Sequence, residues 1–280
     1  ENQTHHGIVL QDYEFDFPSE NVGYTSYTGN IHDSATNETS QGSLRTNDGG
    51  ITWTNINTMP GLNGVQNASY LSDFSFVNEN LGWSNDGSNV LKTTDGGQSW
   101  TIVNNDAYLF DIKFVSNSNN DGYTGYAHGA GLNKGTYKTI DSGETWTKIN
   151  DIGYTGYEFP SENVGYGRSS KTPGFPLENS SSCQCEDGTY KTTDGGVTWT
   201  KISDTVFHFF SFISDDVGYA KEWPVGGGEG GLMYKTSDGG ANWVLVNNND
   251  LDSNGETYSG LNFISGTSEA NLEGTISYTW

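Results

Sequence analysis

The sequence predicts an all-β fold, a β-propeller of six four-stranded antiparallel blades. Three observations predict it. A turn-forming stretch of pattern T-x-D-x-G-x-x-W occurs five times, starting at Thr46, Thr93, Thr139, Thr192 and Thr236. Its Asp positions, 48, 95, 141, 194 and 238, lie 47, 46, 53 and 44 residues apart, and self-similarity at roughly 20–50 residues marks a solenoid, propeller or array. A second pattern, apolar-x-Phe followed by a Gly-aromatic pair, stands upstream of every copy.

The turn has a physical logic. Its Asp-Gly and Gly-Gly steps supply the positive φ angles of a tight hairpin. The carboxylates of Asp48, Asp95, Asp141, Asp194 and Asp238 are placed to accept hydrogen bonds from N–H groups of their own turn. Trp53, Trp100, Trp146, Trp199 and Trp243 then bury a large apolar area beneath it. Alternation on either side, as in Thr145-Trp146-Thr147-Lys148-Ile149, is strand-like. The turn therefore joins the third and fourth strands of a blade.

The upstream pattern supplies the first two strands. Its copies are Phe15-Asp16-Phe17 with Gly23-Tyr24, Phe74-Ser75-Phe76 with Gly82-Trp83, and Ile112-Lys113-Phe114 with Gly122-Tyr123. Tyr157-Glu158-Phe159 with Gly165-Tyr166 and Phe210-Ser211-Phe212 with Gly218-Tyr219 follow. A sixth start, Leu261-Asn262-Phe263, has no complete turn after it. Gly274-Thr275-Ile276-Ser277-Tyr278 resembles the third strand at Gly188–Thr192, and residues 3–9 stand where a fourth strand belongs. The expected blades are residues 12–57, 70–104, 108–150, 154–203, 207–247, and 258–280 plus 3–9, forming one domain over 1–280. Closing the last blade with three C-terminal strands and one N-terminal strand removes exposed sheet edges. Seven blades are the alternative.

The repeated turn resembles the Asp-box, or BNR, repeat of β-propellers. With its upstream pattern, the whole chain is similar to the photosystem II stability and assembly-factor family, and more distantly to sialidase and sortilin-type propellers. The sialidase resemblance implies three arginines clamping a carboxylate and a Tyr nucleophile. This chain has only Arg45 and Arg168, and Arg45 precedes a turn, so sialidase activity is not expected. The photosystem family is associated with a basic patch, from which this chain departs.

Charge narrows the partners. Lys and Arg total 12 against 35 Asp and Glu, for a formal net charge of -23. Sequence-independent nucleic-acid binding needs the opposite sign, and an anionic membrane surface is equally unsuited. No apolar run is long enough to span a bilayer. The chain begins at Glu1 and is read as a mature product without its signal peptide, found outside the cell, at its surface or in the periplasm. Cys183 and Cys185, one residue apart, form a local disulfide or remain free thiols; a single C-x-C is not a zinc framework.

The copies differ in one place. From the repeat Phe to the turn Asp is 19 residues in the second unit but 31, 27, 35 and 26 in the first, third, fourth and fifth. The extra residues fall between strands two and three, on the face opposite the Asp turns. Loops held by a rigid scaffold carry function, so this face is the expected binding face for a protein or glycan. Ligand contacts are assigned to Trp223, an off-pattern Trp in an insertion, with Glu222, His208, Arg168 and His128. Glu14, Asp73 and Asp111 share one register, three residues before the repeat Phe. Convergence in the channel would suit Ca²⁺, which takes several oxygen ligands. It would equally suit an acid–base pair for glycoside cleavage, or mark a repeated structural device. No cofactor is required.

Three function classes follow. The first is a secreted or cell-surface binding and scaffold module. The second is a polysaccharide-acting hydrolase or lyase using Glu14, Asp73, Asp111 or Glu222. The third is a self-assembling surface protein.

Overall fold

A computed structural model describes residues 15–30, 39–56, 71–105, 108–117, 122–129, 133–169, 186–222 and 232–246. They form five four-stranded antiparallel sheets, each a simple meander. The first holds β1 (Phe15–Asp16), β2 (Gly23–Asn30), β3 (Thr39–Thr46) and β4 (Thr54–Asn55). The second holds β5 (Ser72–Phe76), β6 (Gly82–Asn85), β7 (Val90–Thr93) and β8 (Thr101–Asn104). The third holds β9 (Leu109–Ser116), β10 (Tyr123–Gly129), β11 (Gly135–Thr139) and β12 (Thr147–Asn150). The fourth holds β13 (Thr155–Glu158), β14 (Gly165–Ser169), β15 (Gly188–Thr192) and β16 (Thr200–Ser203). The fifth holds β17 (Phe207–Phe212), β18 (Gly218–Glu222), β19 (Met233–Thr236) and β20 (Val244–Leu245). The first strands of all five sheets line one central cavity, as the blades of a propeller do.

The expected count of six blades, with seven as the alternative, is corrected to five among the described residues. Each sheet needs one complete T-x-D-x-G-x-x-W turn to join its third strand to its fourth, and the sequence holds five. The start at Leu261-Asn262-Phe263 has no such turn after it. Residues 258–280 and 3–9, expected to close a 3+1 blade, lie outside the described residues.

The turns are built alike. In the second sheet Thr93 Oγ1 accepts from the Gly97 N–H at 2.9 Å and donates to Asp95 Oδ1 at 2.8 Å. Asp95 in turn accepts from the Ser99 N–H at 2.9 Å and the Ser99 hydroxyl at 2.6 Å. Equivalent bonds join Asp48 to Thr52, Asp141 to Thr145, Asp194 to Thr198 and Asp238 to Asn242. The Gly after the Asp takes positive φ in four turns, and Ser142, at φ 62°, takes it in the third. The Gly N–H also reaches the turn between the first two strands of its own sheet, as Gly96 to the Asn80 carbonyl at 2.9 Å. Trp146 and Trp199 donate to the carbonyls of Gly143 and Gly196 inside their own turns.

Aromatic stacks join neighbouring sheets. Tyr24 lies on Phe76, Trp83 on Phe114, Tyr126 on Phe159 and Tyr166 on Phe212, with ring centroids 3.9, 3.9, 3.6 and 3.8 Å apart. Each stacking ring follows a Gly whose missing Cβ makes room for the Phe of its own sheet. A Cβ on Gly82 would stand 2.4 Å from the Phe76 ring. The third sheet departs from the expected pairing: Gly125 stands opposite Phe114, and Tyr126 is the stacking ring, not Tyr123. The longer connection after Phe114 displaces the Gly-aromatic pair along the chain, and Tyr123 packs on the flank of Trp83 instead. A basic side chain from the third strand lies over each of these four rings, Arg45 on Tyr24, Lys92 on Trp83, Lys138 on Tyr126 and Lys191 on Tyr166, and Lys235 lies likewise over Tyr219 of the fifth sheet. Such a contact contributes about 0.5–1 kcal/mol at exposed sites.

The meander fixes the two ends of the cavity. The turns between first and second strands and the Asp turns share one end. The connections between second and third strands lie at the other. Those connections differ in length, but in the third sheet most of the extra residues fall instead between the first two strands, where Phe114 pairs with Gly125 as Phe76 pairs with Gly82. In the second sheet Asp86–Asn89 form a tight turn, with the Asp86 carboxylate accepting from the Ser88 and Asn89 N–H groups. The fourth sheet spends residues 170–187 on the same connection.

Candidate binding site

The central cavity is about 630 Å³, within the range of roughly 300–1,000 Å³ typical of small-molecule sites. Its wall is made by the inner edges of β1, β5, β9, β13 and β17, with the turn after β13 at the Asp-turn end. A channel-facing strand edge carries N–H groups without a ladder partner. Side chains from the preceding sheet cap them. Asp16 accepts from the Phe76 N–H at 2.5 Å, and Ser75 from the Phe114 N–H at 2.8 Å.

A second chain of bonds runs nearer the opposite end. Asp73 Oδ2 accepts from the Asp111 N–H at 2.9 Å, and Asp111 Oδ2 accepts from the Gly156 N–H at 3.0 Å. Asn85 Nδ2 also donates to Asp73. Asp73, Asp111 and Gly156 all adopt positive φ, at 51°, 52° and 61°, where Asp, Asn and Gly are the tolerated residues. Both Asp side chains are therefore joined to a neighbouring backbone amide. Their shared register follows from a bulge that each inner strand makes at this point. Glu14 lies outside the described residues. Among the described residues no group of three or more His, Cys, Asp or Glu stands arranged around a metal position.

In the fourth sheet Gly156 offers no side chain, and Arg168 makes the bridge instead. Its Nη1 donates to the His208 carbonyl at 2.6 Å and its Nε to Thr155 Oγ1 at 3.3 Å. Two residues assigned to ligand binding from sequence thus meet, with His208 on the cavity wall. Burial, and then the Arg168 charge, push the His208 pKa down to about 4. His128 is elsewhere, in the seam between the third and fourth sheets and 3% exposed. Its Nδ1 has no hydrogen-bond partner among the described residues, and an added Cβ on Gly153 would come within 2.5 Å of it. Burial lowers its pKa, with Asp111 raising it and Lys134 lowering it. Glu222 ends β18, its N–H donating to the Leu232 carbonyl at 3.0 Å. Trp223, Cys183 and Cys185 lie outside the described residues.

One polar feature of the cavity is absent from the expected set. Lys113 of β9 and Glu158 of β13 form an ion pair at 3.8 Å, with side chains 22% and 21% exposed. Both line the cavity. The signal was present in the sequence: each occupies the middle position of an apolar-x-Phe triplet, and Lys113 is the one basic residue among the five such positions in the described sheets.

No family model and no curated protein matches the chain. Solved propellers do. The chain is similar to the GH74 enzyme of Niastella koreensis, at 17% identity and a TM-score of 0.53, covering 84% of this chain and 38% of that one. An ancestral GH74 enzyme gives 17% and 0.50, covering 87% and 31%. YCF48 bound to D1 peptide gives 18% and 0.49, covering 84% and 82%. The likeness shows the fold alone. The chain spans well under half the length of either GH74 enzyme.

Proposed function

We propose that this chain is a secreted or cell-surface Asp-box propeller. It acts as a binding and scaffold module, taking a protein or glycan on the face formed by the connections between second and third strands. The observation that carries the reading is the contrast between a uniform scaffold and a variable face. The Asp turns, aromatic stacks and basic caps recur from sheet to sheet. The connections opposite them run from the four residues Asp86–Asn89 to the span 170–187. Loops held by a rigid scaffold carry function, and these connections vary most. Binding there would rest on shape, aromatic contact and hydrogen bonds, with Trp223 and Glu222 in the fifth connection and Arg168 at the base of the fourth.

The engagement of Asp73 and Asp111 with backbone amides weighs against their use as an acid–base pair, and supports binding over cleavage. A glycan array with and without Ca²⁺, repeated with Trp223→Ala, tests the reading. Capture of a glycan that Trp223→Ala weakens supports it. Release of shortened oligosaccharides from a bound polysaccharide would replace it with the hydrolase reading. An empty array directs the search to protein partners, and absence of both kinds of ligand overturns it.

A further inference from the structure

We propose that the central cavity is a separate saccharide site, in which the Lys113–Glu158 pair reads adjacent hydroxyl groups of one sugar unit. The site lies among the inner strands and the turn after β13, away from the variable connections, and does not depend on them.

Lys113 breaks a local rule of the inner strands. The middle residues of the first three inner-strand triplets, Asp16, Ser75 and Lys113, reach the next sheet. Where that residue is Asp16 or Ser75, its oxygen caps the N–H of the next repeat Phe. Lys113 has no acceptor to offer, so it cannot serve that purpose, and it turns to Glu158. Lys113 gives the Phe159 N–H no cap of the kind that Asp16 and Ser75 supply in their sheets. A partly buried ion pair loses hydration that its mutual attraction only partly returns. Departures from a local rule without a structural gain concentrate at functional positions.

The chemistry of the pair selects the ligand. An ammonium supplies donors and a carboxylate supplies acceptors, 3.8 Å apart. Adjacent hydroxyls on a sugar ring present an acceptor and a donor at similar spacing, and can bond to both groups at once. Hydrogen bonds to charged groups are the stronger kind. Ser116 and Ser161 add hydroxyls to the wall. Phe114 and Phe159 also line the wall beside the pair, with their rings stacked on Trp83 and Tyr126 in the seams. A cavity of about 630 Å³ has room for a short oligosaccharide.

The test is calorimetric titration of the full chain with cellotetraose, xylotetraose and mannotetraose, and separately with spermidine and tri-lysine. At least one tetrasaccharide is expected to bind. Lys113→Met and Glu158→Gln should each weaken it roughly tenfold or more, the loss expected for a charge-assisted hydrogen bond. Lys148→Ala, which removes only the surface pair with Asp151, should change nothing. The inference is overturned by no binding of any tetrasaccharide, by binding indifferent to both single substitutions, or by tighter binding of the cations than of the sugars. Sugar binding lost with Trp223→Ala but not with Lys113→Met would place the ligand on the variable face and leave the cavity without it.

Discussion

The Tyr126 ring lies flat on that of Phe159, centroids 3.6 Å apart and planes 3° from parallel. It joins the third sheet to the fourth across a seam that Lys138 caps from the far side at 5.3 Å. The Tyr126 hydroxyl also donates to the Glu162 carbonyl in the turn after β13. Every seam among the described sheets is made this way, and the third is the one whose ring sequence spacing misplaces.

Tyr126→Ala should therefore cost about 3–5 kcal/mol, as for truncation of a buried aromatic. Tyr123→Ala, which removes a partly buried ring tilted against Trp83 at 5.3 Å, should cost less than half of that. Chemical denaturation of the two variants side by side measures the difference. Equal losses would return the seam to Gly122-Tyr123.

Ser142 holds a conformation that glycine holds in the other four turns, at φ 62°. A non-glycine residue there costs about 1–2 kcal/mol. Ser142→Gly should raise stability by about 1 kcal/mol after the added unfolded-state entropy is subtracted. The bond from Trp83 Nε1 to the Ser142 carbonyl at 2.8 Å is made by backbone and persists. A fall in melting temperature would mean that the Ser142 side chain contributes something the geometry does not reveal.

Asp111 is expected to act as an acceptor for the Gly156 N–H and not as an acid. Asp111→Asn keeps an oxygen at that place and tolerates positive φ, so its stability should change little. Asp111→Ala leaves the amide without its partner and puts Ala at φ 52°, with a loss of about 2–4 kcal/mol. Thermal melts of both variants, with and without millimolar Ca²⁺, check this. A Ca²⁺-dependent rise in the wild type that both variants abolish would show the carboxylate holding metal.

Acid should destabilise the fold in two stages. His208 and His128 both have folded pKa values below the ordinary 6.5. Between pH 6.5 and about 4 the unfolded chain therefore takes up protons that the folded His208 refuses, and stability falls as pH falls. The turn carboxyls also sit below their usual value. Side-chain bonds from Thr52 and Asn242 are the largest cause for Asp48 and Asp238. For Asp95, Asp141 and Asp194 partial burial pushes upward, and the turn bonds together outweigh it. Their contribution is present above pH 3.8 and is lost as pH falls further. His208→Gln should flatten the first stage and leave the second. Melting temperatures at half-unit pH steps would reveal either result.

The scaffold was legible because each of its parts is a residue with a fixed local task. The turn Asp, its Thr and its Gly determine one hairpin, and the Phe with its facing Gly determines one sheet pairing. Blade three shows the limit: spacing alone cannot tell Gly122-Tyr123 from Gly125-Tyr126 when a loop of variable length lies before both. The basic residue before each turn Thr was in plain view at Arg45, Lys92, Lys138, Lys191 and Lys235. Its meaning depends on the ring opposite it across the sheet. Asp73 and Asp111 were found by register, but the reason for the register is a backbone angle, which composition does not express. Lys113 and Glu158 are far apart in sequence and belong to different sheets, so only the packing of β9 beside β13 brings them together.

Specificity is proposed to lie in the connections opposite the Asp turns. The most direct measurement replaces residues 170–187 with the four-residue turn Asp86-Gly87-Ser88-Asn89 and compares capture of the wild-type chain's glycan or protein ligand. The account predicts a variant with an unchanged β-sheet spectrum and a melting temperature close to that of the wild type, and a loss of capture of roughly tenfold or more. Full capture by the shortened chain would contradict it.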